Sequence, residues 1–305
     1  MARKTMSGAT VAVAALSMAL GVAAAWAQQP SAATAPAGAQ PAAAPARAAR
    51  PPEPPAGMSP ALAEYDHDGP LKTMGHLEGP NCTIFRPDSL TGKSPIVLWG
   101  NGTGQTPVRY AAMLNQMATY GFVVAAANTT NPGNATEMLA CLDYLTAENG
   151  RAGSPYEGKL DLTRVGASGH SQGGGGAIMA GRDPRVKTTA PIMPYTLRLG
   201  YIAGAQTQQH GPMFMTSGGN DTIARPSENQ QPVFEQVNTP IVWATLANAS
   251  HLVPMQPDSG PYRPAVIAWF RYQLMGDKVA GALFTSNICG LCTAPDWTIQ
   301  KRGLQ

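Results

Sequence analysis

Charged side chains are scarce in this chain of 305 residues, since only 13% of the residues are Asp, Glu, Lys or Arg. Of the 21 basic and 18 acidic residues, four basic and one acidic lie within the first 57 positions, so the remainder carries 17 of each sign. A region without net charge offers no general electrostatic attraction for nucleic acid or an anionic membrane. We therefore expect no nucleic-acid partner.

A transmembrane anchor is also disfavoured by the sequence. Arg3 and Lys4 precede an apolar stretch at residues 9–25, which is short and rich in Ala. The stretch ends in Ala-Trp-Ala at residues 25–27, and small residues in this spacing are typical of a cleavage site. We interpret residues 1–27 as a Sec-type signal peptide, and we expect a secreted or periplasmic protein without membrane insertion.

The segment after the signal peptide has almost no side chains to bury. Residues 28–57 consist mainly of Ala and Pro, a composition typical of an extended linker. We therefore expect one folded domain at residues 58–305. With 44% hydrophobic residues in the whole chain, this length is sufficient for a large core.

Cysteine is rare, with four residues in the chain. Zinc is disfavoured because no His lies near Cys289 or Cys292, although this Cys-Gly-Leu-Cys segment also resembles a redox pair. Export favours disulfides, and four Cys allow three pairings. The pairing we favour is Cys82 with Cys141 and Cys289 with Cys292.

Short apolar runs alternate with helical segments beyond residue 80. Runs that are apolar on both faces predict the buried strands of a mostly parallel central sheet with helices on both faces, which is an α/β fold. The expected strands are Pro95–Trp99, Phe122–Ala127, Arg164–Ser168, Val186–Ile192, Met213–Ser217 and Ile241–Ala247. The expected helices are Tyr110–Tyr120, Thr136–Ala147, Ser171–Gly181 and Pro264–Met275.

One motif in this pattern carries chemistry. Gly169-His170-Ser171-Gln172-Gly173 matches Gly-x-Ser-x-Gly, and it lies between a predicted strand and a predicted helix. In that context the motif forms a tight turn that exposes the serine hydroxyl, as in the α/β-hydrolase fold. We therefore predict this fold with Ser171 as nucleophile; the alternative is a glycine-rich turn without chemistry.

A serine nucleophile needs a base and an acid, which follow it in the order acid then His in this fold. Asp221 lies in a loop after a predicted strand, 50 positions beyond Ser171. Asp183 is a competitor, but it lies in a Gly-Arg-Asp-Pro turn where Asp commonly supports backbone geometry. Asp258 comes after the best candidate base. We predict Asp221 as the acid.

The base is predicted to be His251, which follows the last predicted strand and precedes the last predicted helix. Of the five His residues, it alone combines this chain order with a loop at the end of a strand. His170 lies beside the nucleophile, where we expect it to support the turn and to contact substrate. The other three His residues precede strands: His67, His76 and His210.

Two backbone N–H groups are expected to hold the negative charge that develops on the substrate carbonyl. One donor is Gln172, directly after the nucleophile. The other is expected from the loop at residues 100–104, which has the sequence Gly-Asn-Gly-Thr-Gly. This loop could instead suggest a phosphate cradle, but it lacks the Lys and the Gly spacing of a P-loop.

Several segments resemble the bacterial cutinase-like polyester hydrolases, including PET hydrolases, over roughly residues 80–290. The segments that carry the resemblance are Gly169–Gly176, Tyr120–Val124, Asn220–Ala224 and Ser250–His251. The resemblance implies the α/β-hydrolase fold, the triad Ser171, Asp221 and His251, and ester hydrolysis without a cofactor.

The resemblance also suggests roles for individual residues. Counting back from Gly121 places Thr103 where the family has the second oxyanion donor. Tyr195 takes the place of the substrate-stacking Trp. The segment Leu197–His210 is longer than the matching family loop, and we expect it to reshape the cleft.

The sequence thus predicts a secreted serine hydrolase that cleaves small-molecule or polymeric carboxylic esters through an acyl-enzyme. Two alternatives stay open. The same triad would serve an amidase or a polyamide or peptide hydrolase, and the fold could also serve a non-catalytic binding domain at the cell surface.

Overall fold

A computed structural model describes residues 57–79 and 81–304, which belong to one compact unit of the chain. The predictions of a signal peptide at residues 1–27 and of a linker at 28–57 concern residues outside this range, apart from Gly57. The Gly57 carbonyl accepts a hydrogen bond from Trp297 Nε1 at 2.7 Å, so the described chain begins against the folded domain.

The core of the fold is one sheet. Within the described residues its nine strands are Thr73–Glu78 (β1), Cys82–Pro87 (β2), Ser94–Gly100 (β3), Val123–Ala127 (β4), Leu160–His170 (β5), Val186–Ile192 (β6), Met213–Gly218 (β7), Ile241–Leu246 (β8) and Trp297–Arg302 (β9). Their order is β1-β2-β4-β3-β5-β6-β7-β8-β9. The six central strands β4, β3, β5, β6, β7 and β8 are parallel to one another. At the margins, β1 pairs with β2, β2 with β4, and β9 with β8, all antiparallel.

Helices cover both faces of this sheet. Those described are Pro60–Ala63 (α1), Ala111–Thr119 (α2), Thr136–Gly150 (α3), Gln172–Ala180 (α4), Pro226–Gln236 (α5), Tyr262–Met275 (α6) and Lys278–Gly281 (α7). No helix in the described part of the chain is both long and apolar enough to span a membrane.

Two apolar clusters result from the alternation of side chains along the strands. Val97 and Trp99 of β3 belong to the cluster that includes residues of α2 and α6, whereas Ile96 and Leu98 belong to the cluster that includes residues of α3, α4 and α5. All four side chains are fully buried, and each such burial stabilises the fold by about 1.5–3 kcal/mol. The predicted α/β architecture, mostly parallel with helices on both faces, is confirmed.

The cysteine pairing favoured from the sequence is also confirmed. Cys82 in β2 bonds to Cys141 in α3, and Cys289 bonds to Cys292. The first disulfide joins residues 59 positions apart, which in a chain-entropy account stabilises the fold by about 4 kcal/mol. It therefore ties an antiparallel strand near one margin of the sheet to a helix on its face.

Candidate active site

The turn between β5 and α4 has an unusual backbone. Ser171 lies between the last residue of β5 and the first residue of α4, with φ 57° and ψ −119°. A positive φ costs a non-glycine residue about 1–3 kcal/mol and persists only where neighbours enforce it. Here the Ser171 N–H donates to the Ile192 carbonyl at 3.0 Å, and the Ser171 carbonyl accepts from Tyr195 N at 2.9 Å.

Two glycines allow this turn to pack against the neighbouring strand. A Cβ atom at Gly169 would lie 2.3 Å from the Gly173 carbonyl oxygen, and one at Gly173 would lie 2.0 Å from the Gly100 carbonyl oxygen. These atoms belong to the backbone and cannot rotate away. The glycines of the Gly-x-Ser-x-Gly motif therefore permit a close approach that any side chain would block.

The structure brings the three predicted triad residues together. His251 Nε2 lies 2.8 Å from Ser171 Oγ, and His251 Nδ1 lies 2.6 Å from Asp221 Oδ2. Asp221 follows β7 and His251 follows β8. Because the carboxyl ends of these parallel strands meet at the same edge of the sheet as that of β5, residues up to 80 positions apart become neighbours.

The acid of this group is buried and ionised. Burial raises the pKa of Asp221. The hydrogen bond and charge of His251 and the N–H groups of Ala224 and Ile223 together lower it by more, so the pKa lies below its ordinary value. The two N–H groups donate to Asp221 Oδ1 at 2.8 and 2.9 Å. Oδ2 remains to accept the Nδ1–H of His251, which fixes its orientation and tautomer.

The predicted oxyanion donors belong to the loop after β3 and to the first turn of α4. Gln172 is the first residue of α4, so its backbone N–H has no acceptor within the helix. Thr103 is exposed in the loop after β3, and its N–H has no hydrogen-bond acceptor among the residues that the structure describes. Both roles remain predictions.

The Gln172 side chain has a further contact that the sequence does not indicate. Its Nε2 donates to the carbonyl of Leu199 at 3.0 Å. It thereby holds part of the segment Leu197–His210, which was expected to reshape the cleft. Tyr195, just before this segment, is half-buried, and its N–H donates to Ser171 at 2.9 Å. Tyr195 thus lies beside the turn, while its role in stacking on substrate remains a prediction.

His170 does not occupy the substrate-contacting position expected for it. Its side chain lies beneath the site and is 1% exposed. The Nδ1 atom lies 2.9 Å from Tyr110 Oη, and the Nε2 atom lies 2.9 Å from the His251 carbonyl oxygen. With both ring nitrogens engaged and only 1% of its surface exposed, His170 supports the turn and offers no open face to a substrate.

His170 makes a testable contribution to acid stability. Burial, followed by the nearby His251, lowers its pKa from 6.5 to about 3. The contribution of His170 to the free energy of unfolding is complete above pH 6.5 and is lost as the pH falls toward 3. Between these pH values the unfolded chain binds a proton on this residue and the folded chain does not. Between pH 6 and 4, we expect the free energy of unfolding to fall more steeply in the wild type than in His170→Gln, by about 1.4 kcal/mol per pH unit.

Urea unfolding at several pH values measures this difference. His210→Gln, which removes an exposed histidine, is the matched control and should keep the wild-type slope. Equal slopes in the wild type and His170→Gln would contradict the assignment of His170 as a buried neutral residue.

Exposed apolar side chains flank the loops that carry these polar groups. Four of them are between 45% and 56% exposed, and each lies within a few residues of Tyr195, Asp221 or His251: Leu197, Leu199, Ile223 and Leu252. No group of three or more His, Cys, Asp or Glu suited to a metal ion occurs among residues 57–79 and 81–304.

The mostly parallel sheet, the strained turn and the Ser171–His251–Asp221 arrangement together define an α/β hydrolase. A family model described as PET hydrolase-like matches residues 73–290, and the chain therefore belongs to that family. The resemblance to bacterial cutinase-like polyester hydrolases, predicted over roughly residues 80–290, is confirmed.

Curated relatives agree with this membership. Cutinase est1 of Thermobifida alba is 28% identical over 180 residues, covering 56% of this chain and 58% of that protein. Bis(hydroxyethyl) terephthalate hydrolase of Streptomyces coelicolor is 28% identical over 181 residues, covering 56% of this chain and 55% of that protein. Cutinase cut1 of Thermobifida fusca is 28% identical over 199 residues, covering 62% and 59%. The chain thus spans somewhat over half the length of these relatives.

Proposed function

We propose that this protein is a secreted carboxylic-ester hydrolase that acts through Ser171, His251 and Asp221 by way of an acyl-enzyme. The observation that carries the proposal is the continuous hydrogen-bonded series from Ser171 Oγ through both ring nitrogens of His251 to Asp221. This series is what a serine hydroxyl requires to become a nucleophile, because a base must take its proton and an acid must orient that base.

The proposed reaction has two halves. In the first, Ser171 Oγ attacks the ester carbonyl while its proton passes to His251 Nε2, and the N–H groups of Thr103 and Gln172 stabilise the oxyanion. His251 then gives the proton to the leaving alcohol as the carbon–oxygen bond breaks. In the second, His251 takes a proton from water, the resulting attack releases the acid, and the proton returns to Ser171.

The surroundings of the site support a hydrophobic or polymeric ester as substrate. Leu197, Leu199, Ile223 and Leu252 expose apolar surface beside the loops that carry the triad. Exposed apolar groups near a polar site favour an apolar acyl or aromatic chain that lies across the surface. The family match and the names of the relatives, two cutinases and a bis(hydroxyethyl) terephthalate hydrolase, support a polyester substrate in the same way.

We further propose that the protein is exported by the signal peptide at residues 1–27, and that residues 28–57 link it to the catalytic domain at 58–305. The charged start, the apolar stretch and the Ala-Trp-Ala site support export. The two disulfides support it independently, because disulfides persist in oxidising compartments.

Two measurements on the wild type test the activity. We expect a fluorophosphonate to add one phosphonyl group at Ser171, located by peptide mass spectrometry, and we expect p-nitrophenyl esters of increasing acyl length to be hydrolysed. Amides of the same acids should react far more slowly. Amide turnover at comparable rates would favour the amidase alternative. An inert chain that also fails to label would favour a non-catalytic binding domain.

A further inference from the structure

A buried hydrogen-bonded chain links the two loops that flank Ser171. The backbone N–H of Gly102, in the loop after β3, donates to Tyr110 Oη at 3.1 Å. Tyr110 Oη lies 2.9 Å from His170 Nδ1, and His170 Nε2 lies 2.9 Å from the His251 carbonyl oxygen. Tyr110 and His170 are each 1% exposed, so water does not compete for these bonds.

The donors and acceptors in this chain can be arranged in one way only. The His251 carbonyl can only accept, so the proton of the neutral His170 ring is on Nε2. His170 Nδ1 then accepts, which requires the Tyr110 O–H to donate to it. The Tyr110 oxygen in turn accepts from Gly102 N–H, and every polar atom along the chain is satisfied.

The charge state of His170 keeps this arrangement constant. Burial is the main cause that lowers the pKa of His170 to about 3, and the neighbouring His251 lowers it further, against smaller opposing effects of the His251 carbonyl and Asp221. The two imidazole rings are 4.8 Å apart. When His251 takes a proton during the proposed reaction, its charge further disfavours protonation of His170. The order of donors and acceptors in the hydrogen-bonded series therefore stays the same.

The two ends of this hydrogen-bonded series lie at the two groups whose positions relative to Ser171 matter for the proposed reaction. Gly102 directly precedes Thr103, the proposed oxyanion donor, and His251 is the proposed base. The loop after β3 is also held on both sides of its exposed residue Thr103. Asn101 Nδ2 donates to the Ala127 carbonyl at 2.7 Å, and Gly104 N donates to the Thr130 carbonyl at 3.0 Å. Tyr110 supplies the anchor between these two points.

We infer that Tyr110 and His170 are positioning residues. They hold the loop after β3, which carries Thr103, and the loop after β8, which carries His251, in fixed positions relative to the nucleophile Ser171. This inference rests on the proposed function. The Tyr110 hydroxyl does not touch the reacting atoms; it acts through the Gly102 backbone on one side and through His170 on the other. Its loss leaves Gly102 N–H and His170 Nδ1 without their partner in a buried site.

Tyr110→Phe tests the inference against a matched control, Tyr156→Phe. Tyr156 is fully buried, and its hydroxyl donates to Glu78 at 2.8 Å, in the segment just before the start of β5 and so away from the carboxyl ends of the strands. We expect Tyr110→Phe to lower kcat for a p-nitrophenyl ester by about 10- to 100-fold and to change KM by less than about twofold, because catalysis is sensitive to small displacements of oxyanion donors. Tyr156→Phe should keep kcat within about twofold.

Coupling provides a second readout that general destabilisation would not produce. If one chain connects both residues, the Tyr110→Phe/His170→Gln double variant should be no slower than the slower single variant, whereas independent sites would give multiplied losses. Nitrogen-resolved imidazole spectra of the wild type should also show the His170 proton on Nε2 from pH 5 to 8. A proton on Nδ1, or multiplied losses, would overturn the inference.

The two proposals fail in different ways. An inert wild type that does not label with a fluorophosphonate overturns the proposed function, and with it the role of Tyr110 and His170 in positioning catalytic groups. A fully active wild type whose Tyr110→Phe variant retains the kcat of Tyr156→Phe overturns the inference alone.

Discussion

Replacing Ser171 by Ala should lower kcat for ester hydrolysis by about 10⁶-fold, which is the loss typical of removing a serine nucleophile from a triad. The change removes the only oxygen that lies 2.8 Å from His251 Nε2 in the described structure. The backbone hydrogen bonds of residue 171 to Ile192 and Tyr195 do not involve the side chain, so the substitution keeps them. The fold should therefore survive, and p-nitrophenyl ester hydrolysis measures the loss.

Ser168→Ala is the matched control for this variant. Ser168 lies on the same strand, is fully buried, and its Oγ donates to the Ala190 carbonyl at 2.6 Å. Its loss should cost about 1 kcal/mol of stability and leave kcat within a few-fold of the wild type. Fluorophosphonate labelling should persist in Ser168→Ala and vanish in Ser171→Ala. If Ser171→Ala retained more than about 1% of the wild-type rate, another group would have to be the nucleophile.

The central strands were predictable because they are buried on both faces. Val123–Ala127 is a continuous apolar run and Met213–Gly218 begins with one, and both strands are buried along their whole length. Such runs between helical segments indicate a parallel sheet. A parallel sheet in turn places the residues after each strand at one edge. The meeting of Ser171, Asp221 and His251 could therefore be predicted without knowing any distance.

The margins of the sheet were not predicted. Strands β1 and β2 at one margin and β9 at the other have no continuous apolar run, and β1 and β9 are largely exposed. Their pairing depends on partners far away in the chain, such as β9 with β8. Helix α5 was missed for a different reason, because Pro232 lies inside it and a proline ordinarily argues against a helix interior.

The bonds of His170 were also beyond the sequence pattern. Tyr110 lies 60 positions before His170 and marks only the start of a helical segment, with no motif to suggest a polar partner. Its hydroxyl reaches His170 because its ring packs against Trp99, with ring centres 5.0 Å apart. Such a contact depends on side-chain directions in the folded protein. The expectation that His170 contacts substrate was wrong for the same reason.

Asp221→Asn should lower kcat by about 10⁴-fold while the fold stays intact, since it reverses the tautomer of the base. Asp221 Oδ1 accepts N–H bonds from Ile223 and Ala224, at 2.9 and 2.8 Å. In the variant the amide oxygen must take this position, because an NH₂ group cannot accept. The NH₂ group then faces His251 Nδ1 and donates to it. His251 is left with its proton on Nε2, where it cannot take the proton of Ser171.

Asp183→Asn is the control, because Asp183 is the other acidic residue that the sequence offered for this role. Its carboxylate lies 2.7 Å from Arg185 and makes no hydrogen bond to a triad residue in the described part of the chain. Losing this partly exposed ion pair should cost less than about 1 kcal/mol and leave kcat unchanged. The two variants differ from the wild type by the same atoms, so a large loss confined to Asp221→Asn would identify the orienting carboxylate by position. Near-wild-type hydrolysis in Asp221→Asn would show instead that His251 keeps its working tautomer without the carboxylate.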